Sequence, residues 1–337
     1  MCIRDRFTRD IHLGLARLYN YELEQYQLSH IELGKFLDPD REPLDEGAEY
    51  ALVMRKLPKP SRLDMLLKDS DSDLQKHYAN IMTQFLIHIH SSLAFQLVEP
   101  CENKYWGSIE QLKEKLINNL VSVEKPDIPE KATLRSSIYQ QLRSTCELLR
   151  LTLLPVLADN KYGDFQQYFA QRVKKQHIKR CHGDLKARNI WITSSPSRQS
   201  TEHSEIWSGV RVLDAVDFNP EFCNIDILSD FAMLVADIHA RINPSLVANI
   251  HTRTDSLDIV NSMIEDYLRL TKQEDKGSRF VLNYYLVEKA FVGALVSILY
   301  DKNSWLGQRY LDVCDRYLTE LKKFFPHTLQ SAQASAH

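Results

Sequence analysis

The chain has 337 residues, 44% apolar and 26% charged, which are proportions of a globular protein and exclude a disordered or fibrous one. Lys and Arg total 42 against 45 Asp and Glu, and the resulting net charge of −3 gives no electrostatic case for a nucleic-acid or membrane-surface partner. The 10 glycines never form a Gly-x-Gly pair, which excludes a dinucleotide fingerprint and a Walker-type phosphate loop.

The six cysteines, Cys2, Cys101, Cys146, Cys181, Cys223 and Cys314, include no Cys-x-x-Cys pair, so reduced thiols in a cytoplasmic protein are expected. The N-terminus, MCIRDRFTRD, has no apolar core for a signal peptide. Apolar stretches such as Phe291–Tyr300 reach about half of what spans a bilayer.

In chain order, Tyr26–Leu33 is a weak strand candidate. Glu49–Arg55 (EYALVMR) is a stronger one, preceded by the turn-like DPDREPLDEG. Tyr78, Ile81, Met82, Phe85, Leu86, Ile89 and Leu93 recur at three and four residues and predict one helix. Leu134, Ile138, Leu142, Cys146, Leu149 and Leu153 predict a second, stopping near Pro155, Asp159 and Asn160. Short strands are predicted at His177–Cys181, Ile190–Thr193 and Val210–Leu213, with the Ser-rich 194–209 segment as a hairpin insertion. Ile225, Leu228, Phe231, Leu234, Val235 and Ile238 predict another helix, and two more follow near 279–299 and 304–323. A few strands ahead of a mostly helical remainder predict an α+β architecture.

The polar centre of the chain is His182-Gly-Asp-Leu-Lys-Ala-Arg-Asn-Ile190, set between two predicted strands, with Asp214 at the end of a third. Phosphoryl transfer from ATP needs a carboxylate aimed at the attacking hydroxyl and oxygen ligands for magnesium. Asp184 would orient the hydroxyl and accept its proton, while Asn189 and Asp214 would face the metal. Lys186 can bring its ammonium to the transferred phosphoryl group, or it is a solvated loop lysine. Asp217 and Asn219 read as turn caps before Pro220, and Asp226 as a helix-start acid. His88 and His90, two apart on a helix, point in different directions and read as ordinary histidines, and Cys181 reads as a core thiol. Of the late-helix aromatics Tyr284, Tyr285, Tyr300, Trp305, Tyr310 and Tyr317, most read as core and a few as able to face a substrate cleft.

HGDLKARNI and the downstream VLDAVDFNPEFCNIDILSDFA resemble the aminoglycoside phosphotransferase-like kinases, most of all a bacterial branch whose members often carry a further P-loop ATPase domain. The resemblance implies a protein-kinase-like fold, ATP and Mg2+ as cofactors, and transfer to a hydroxyl of a small molecule. The acceptor stays open among aminoglycosides, choline, sugars and amino-acid-like hydroxyls. By position, Asp184 matches the catalytic Asp, and Asn189 and Asp214 match the magnesium ligands. His182 matches the loop-packing His, and Asp230 the acid that holds the loop from the next helix. Adenine is then expected against the hinge at Met54, Arg55 and Lys56. The implied division is a partial small lobe with hinge over 1–57, a large lobe over 58–325 and a tail over 326–337. Phe7–Tyr19 aligns with a helix of the small lobe, Asp10 being a poor match for its acid. The phosphate-covering loop and the strand Lys are expected upstream of the hinge, and no Lys precedes Lys35. MCIRDR matches a translated sequencing adapter, so the expectation is a natural N-terminus replaced there; the alternative is a shortened, non-catalytic module that binds nucleotide or a partner.

Overall fold

A computed structural model describes residues 11–17, 50–92, 106–125, 136–193, 209–216, 218–242 and 252–325. The candidate strand Tyr26–Leu33, the Ser-rich segment through residue 208, Asp10, Asp217 and the tail over 326–337 lie outside them.

The described residues form an α+β structure that is mostly helical, with three antiparallel pairs of strands. β1 (His12–Arg17) pairs with β2 (Tyr50–Met54). This corrects the helix expected over Phe7–Tyr19. Main-chain bonding to β2 overrides local preference, and the register shifts between His12 and Gly14, where glycine suits a bulge. β3 (Ile178–Arg180) pairs with β6 (Asn224–Asp226), and β4 (Ile190–Ile192) with β5 (Val210–Val212). Strand β6 corrects the predicted helix that began at Ile225. Its three residues run alongside β3, and the helix starts at Ile227.

After β2, α1 (Leu63–Asp69) and α2 (Ser72–Ser92) carry the chain behind the central loop. On α2 the predicted stripe is buried at Ile81, Met82, Phe85 and Leu86. α3 (Ile109–Glu124), α4 (Ser137–Ala158) and α5 (Gly163–Lys174) follow; α3 and α5 were not predicted. α3 repeats Leu112, Leu116, Leu120 and Val123 on one face, buried against α4. Asp159 ends α4 and caps the next turn through Lys161 N–H, so the predicted stop is met.

α6 (Pro220–Cys223) is a single turn capped by Asn219, whose Oδ1 accepts from Glu221 N–H at 2.9 Å. α7 (Ile227–Arg241) is capped by Asp226, which accepts from Leu228 N–H at 2.9 Å and also holds the buried Arg172 at 2.6 Å. Every residue of α7 from Ile227 to Ala240 is buried. It is the axis of the fold: α8 (Thr252–Leu270), α9 (Lys276–Leu299) and α10 (Ser304–Lys322) pack round it. α9 is long and apolar enough to cross a membrane by length and composition, but 78% of its most apolar window is buried inside the fold. Tyr284, Tyr285, Tyr310 and Tyr317 are core residues, whereas Tyr300 and Trp305 are exposed.

Candidate active site

The segment 181–190 is too polar to be an inner strand and too short of periodicity to be a helix. It runs as a loop from β3 into a turn at Ala187–Asn189 that opens directly onto β4. Within it, Asp184 carbonyl accepts from Lys186 N–H at 2.9 Å and from the Asn189 side-chain amide at 2.9 Å. Asn189 is buried, and this bond spends its nitrogen while leaving Oδ1 as an oxygen donor. Leu213 N–H donates to Asn189 carbonyl at 2.8 Å, so the β4–β5 pair sets Asp214 beside Asn189. Asp214 is exposed and left-handed at φ 65°, a conformation uncommon outside glycine that Asp tolerates better than most residues.

Lys186 is 7% exposed and its Nζ lies 2.7 Å from Asp184 Oδ1, so it is not a solvated loop lysine. His182 Nε2 meets Leu213 carbonyl at 2.9 Å and must donate, which leaves Nδ1 to accept from Asp184 N–H at 3.3 Å. The ring therefore ties the loop to the end of β5, and Val216 N–H closes the same contact on His182 carbonyl at 2.9 Å.

Two acids on α7 hold the loop from behind. Asp230 accepts from Gly183 N–H at 3.0 Å and His182 N–H at 3.3 Å. Asp237 accepts from Ala187 N–H at 2.6 Å, and its other oxygen receives Arg241 Nε at 2.9 Å and the Tyr310 hydroxyl. Burial on its own raises the Asp230 pKa, but the His90 hydrogen bond, the His90 and His182 rings beside it and the Gly183 N–H outweigh it and hold the carboxyl below its ordinary value.

The sequence reading did not single out Asp237. Its signal was available, because residues 230 and 237 are two turns apart and share one face of a helix. His88 is exposed and His90 buried, so the two point in different directions as expected, but His90 is more than an ordinary histidine, with Nε2 3.5 Å from Asp230 Oδ2 and Nδ1 2.6 Å from Tyr267 hydroxyl. Tyr267 is itself stacked on Phe231 at 3.9 Å. His90 Nε2, Cys181 Sγ and an Asp230 oxygen lie within 4.8 Å of one another, a convergence invisible to sequence spacing. Existing bonds to Gly183, His182 and Ile225 carbonyl occupy this group, and its role is to support the loop.

The hinge candidates Met54, Arg55 and Lys56 are exposed at the end of β2. Arg55 N–H is taken by Ile11 carbonyl at 2.8 Å, so an adenine contact there falls to other backbone groups. The chain then reaches the site side directly, with Arg62 bridging to Trp191 of β4.

The chain matches no known family profile and no curated protein. Among solved structures it is similar to choline kinase from Cryptosporidium parvum Iowa II, with 13% identity over 83% of this chain and 74% of that one and a TM-score of 0.44. A likeness this loose carries no argument about activity or substrate.

Proposed function

We propose that this chain is an ATP- and Mg2+-dependent phosphotransferase of protein-kinase-like fold acting on a hydroxyl of a small molecule. One observation carries it: Asp184 sits on a loop pinned at both ends, ion-paired with Lys186, with the oxygen donors Asn189 and Asp214 adjacent across β4 and β5. The motif resemblance to the bacterial aminoglycoside phosphotransferase-like branch supports the same reading. Near-neutral charge favours a small molecule over nucleic acid or a membrane surface as partner, and the unpatterned cysteines favour the cytoplasm.

The donor set fits magnesium, a hard ion that takes oxygen ligands and binds through few protein groups. Asn189 Oδ1 and the Asp214 carboxylate would hold it, and bound Mg2+ would supply neutralisation of phosphate charge. The chain's own groups do the rest. Asp184 would orient the acceptor hydroxyl and take its proton as the new O–P bond forms and the bond from the γ-phosphorus to the bridging oxygen breaks, that oxygen leaving with ADP. Lys186 offsets charge on the transferred phosphoryl oxygens. Asp230 and Asp237 keep the loop backbone fixed, so that little reorganisation is needed at the moment of transfer. The hinge at Met54–Lys56 is the proposed seat of adenine.

A second reading is a kinase-like module that binds nucleotide or a partner without transferring phosphate. The test is ADP release and label transfer from ATP, with Mg2+, to a panel of hydroxyl compounds. The Asp184→Asn variant should lose about 100- to 10,000-fold in rate while keeping ATP affinity. Equal turnover by the variant overturns the mechanism, and ATP binding without transfer by the wild-type protein supports the second reading.

A further inference from the structure

The two flanks of the catalytic loop are occupied differently. On the β4 side the chain arrives from the hinge through Arg62 and Trp191. On the β3 side stands the α6 turn, tied by Cys181 N–H to Cys223 carbonyl at 2.7 Å. Its Phe222 carbonyl is so close that a Cβ on Gly183 would meet it at 2.6 Å. A nucleotide held from the hinge therefore leaves the α6 side for the acceptor.

That side carries an unusual lysine. Lys115 of α3 is half-buried, and its Nζ lies 5.7 Å from the centroid of the Phe222 ring. Nearby on α9, Lys289 Nζ is matched by Glu288 Oε2 at 3.1 Å, both side chains being largely buried. Glu288, the carboxylate that acts most strongly on Lys115, is thus already engaged by Lys289. Burial, and next the Lys289 charge, pull the Lys115 pKa down to about 8 despite the opposing Glu288 and Glu221. A half-buried ammonium beside a second cation is costly, and an anionic ligand would offset that cost.

Resting on the phosphotransferase reading for the position of Asp184, we infer that the acceptor carries an anionic group, a carboxylate or a phosphate ester, which Lys115 binds beside Phe222. Its hydroxyl then faces Asp184 from the α6 side. Lys115 is thereby a specificity-determining residue, selecting against cationic acceptors such as choline or aminoglycosides.

The test separates binding from transfer. Reductive 13C-methylation keeps lysine charge and makes each lysine an NMR reporter, with the Lys115 resonance assigned from Lys115→Arg. The protein is titrated with D-glycerate, glycerol 3-phosphate, glycerol and choline. Glycerate or glycerol 3-phosphate should move the Lys115 resonance and bind about 10- to 100-fold more tightly than glycerol, and whichever is tighter identifies the anion. Lys115→Met should erase that preference, and Lys115→Arg should retain most of it. An unmoved resonance, an equal response to glycerol or choline, or an unchanged preference in Lys115→Met overturns the inference. Transfer from ATP is scored separately. Anion binding at Lys115 with no transfer to any acceptor sinks the phosphotransferase reading alone, while transfer confined to neutral or cationic acceptors sinks the anion site alone.

Discussion

Gly183 and Asp230 stand 47 residues apart, yet the Gly183 N–H donates to Asp230 Oδ1 at 3.0 Å. The bond fixes the backbone one residue before Asp184 to the first turn of the most buried helix in the fold. The position of the Asp184 carboxylate is thus inherited from α7, not from the loop's own preferences. His90 extends the chain of support by one more residue, reaching Asp230 from α2.

Removing this support should lower turnover more than it weakens substrate binding. Asp230→Asn keeps the side chain's size but gives up the charge that accepts two backbone N–H bonds, and kcat should fall about 10- to 100-fold with KM nearly constant. His90→Ala should move kcat the same way by less. Steady-state kinetics beside a thermal melt checks this, and a change confined to melting temperature would reduce both residues to general packing.

Gly183→Ala should damage site and fold together. Gly183 has φ of 87°, and the added Cβ would press on the Phe222 backbone carbonyl, which cannot rotate away as a side-chain tip can. Backbone strain of this kind costs about 1–3 kcal/mol. Chemical denaturation should show that loss, and a midpoint equal to wild type would refute the crowding.

Acid should destabilise the protein partly through His239. The side chain is 7% exposed, and burial, followed by the Arg316 and Arg309 charges, lowers its pKa from 6.5 to about 4. Between those values the unfolded chain takes up a proton that the folded one refuses. Stability is therefore intact above pH 6.5 and declines as pH falls toward 4, by about 3 kcal/mol from this residue. Asp230 has a depressed carboxyl, so its contribution is lost only at lower pH, as pH falls through that depressed value. Denaturation of His239→Gln at pH 7 and pH 4.5 should show a shallower decline than wild type. Parallel profiles would mean that the imidazole is not held neutral.

Much of the site was legible because its determinants are local. The spacing from Asp184 to Asn189, the Asn219 and Asp226 caps and the end of α4 are set by bonds spanning a few residues. The flanking strands and Tyr50–Met54 announce themselves by apolar and β-branched composition, although their ladder partners lie far along the chain. The helix expected over Phe7–Tyr19 fails for the complementary reason: His12–Arg17 becomes a strand only because Tyr50–Met54 pairs with it, and nothing within the segment announces that partner.

What the sequence by itself determined is the polar loop, its flanking strands and the apolar stripes of the long helices, since each rests on short-range geometry and periodicity. Tertiary structure alone decided that Asp237 and His90 join Asp230 behind the loop, that Lys186 turns inward to Asp184, and that Lys115 faces Phe222. Those relations join buried polar groups from separate elements. Their stability comes from satisfying one another away from water, and pairings made across a packed core leave no periodic trace along the chain.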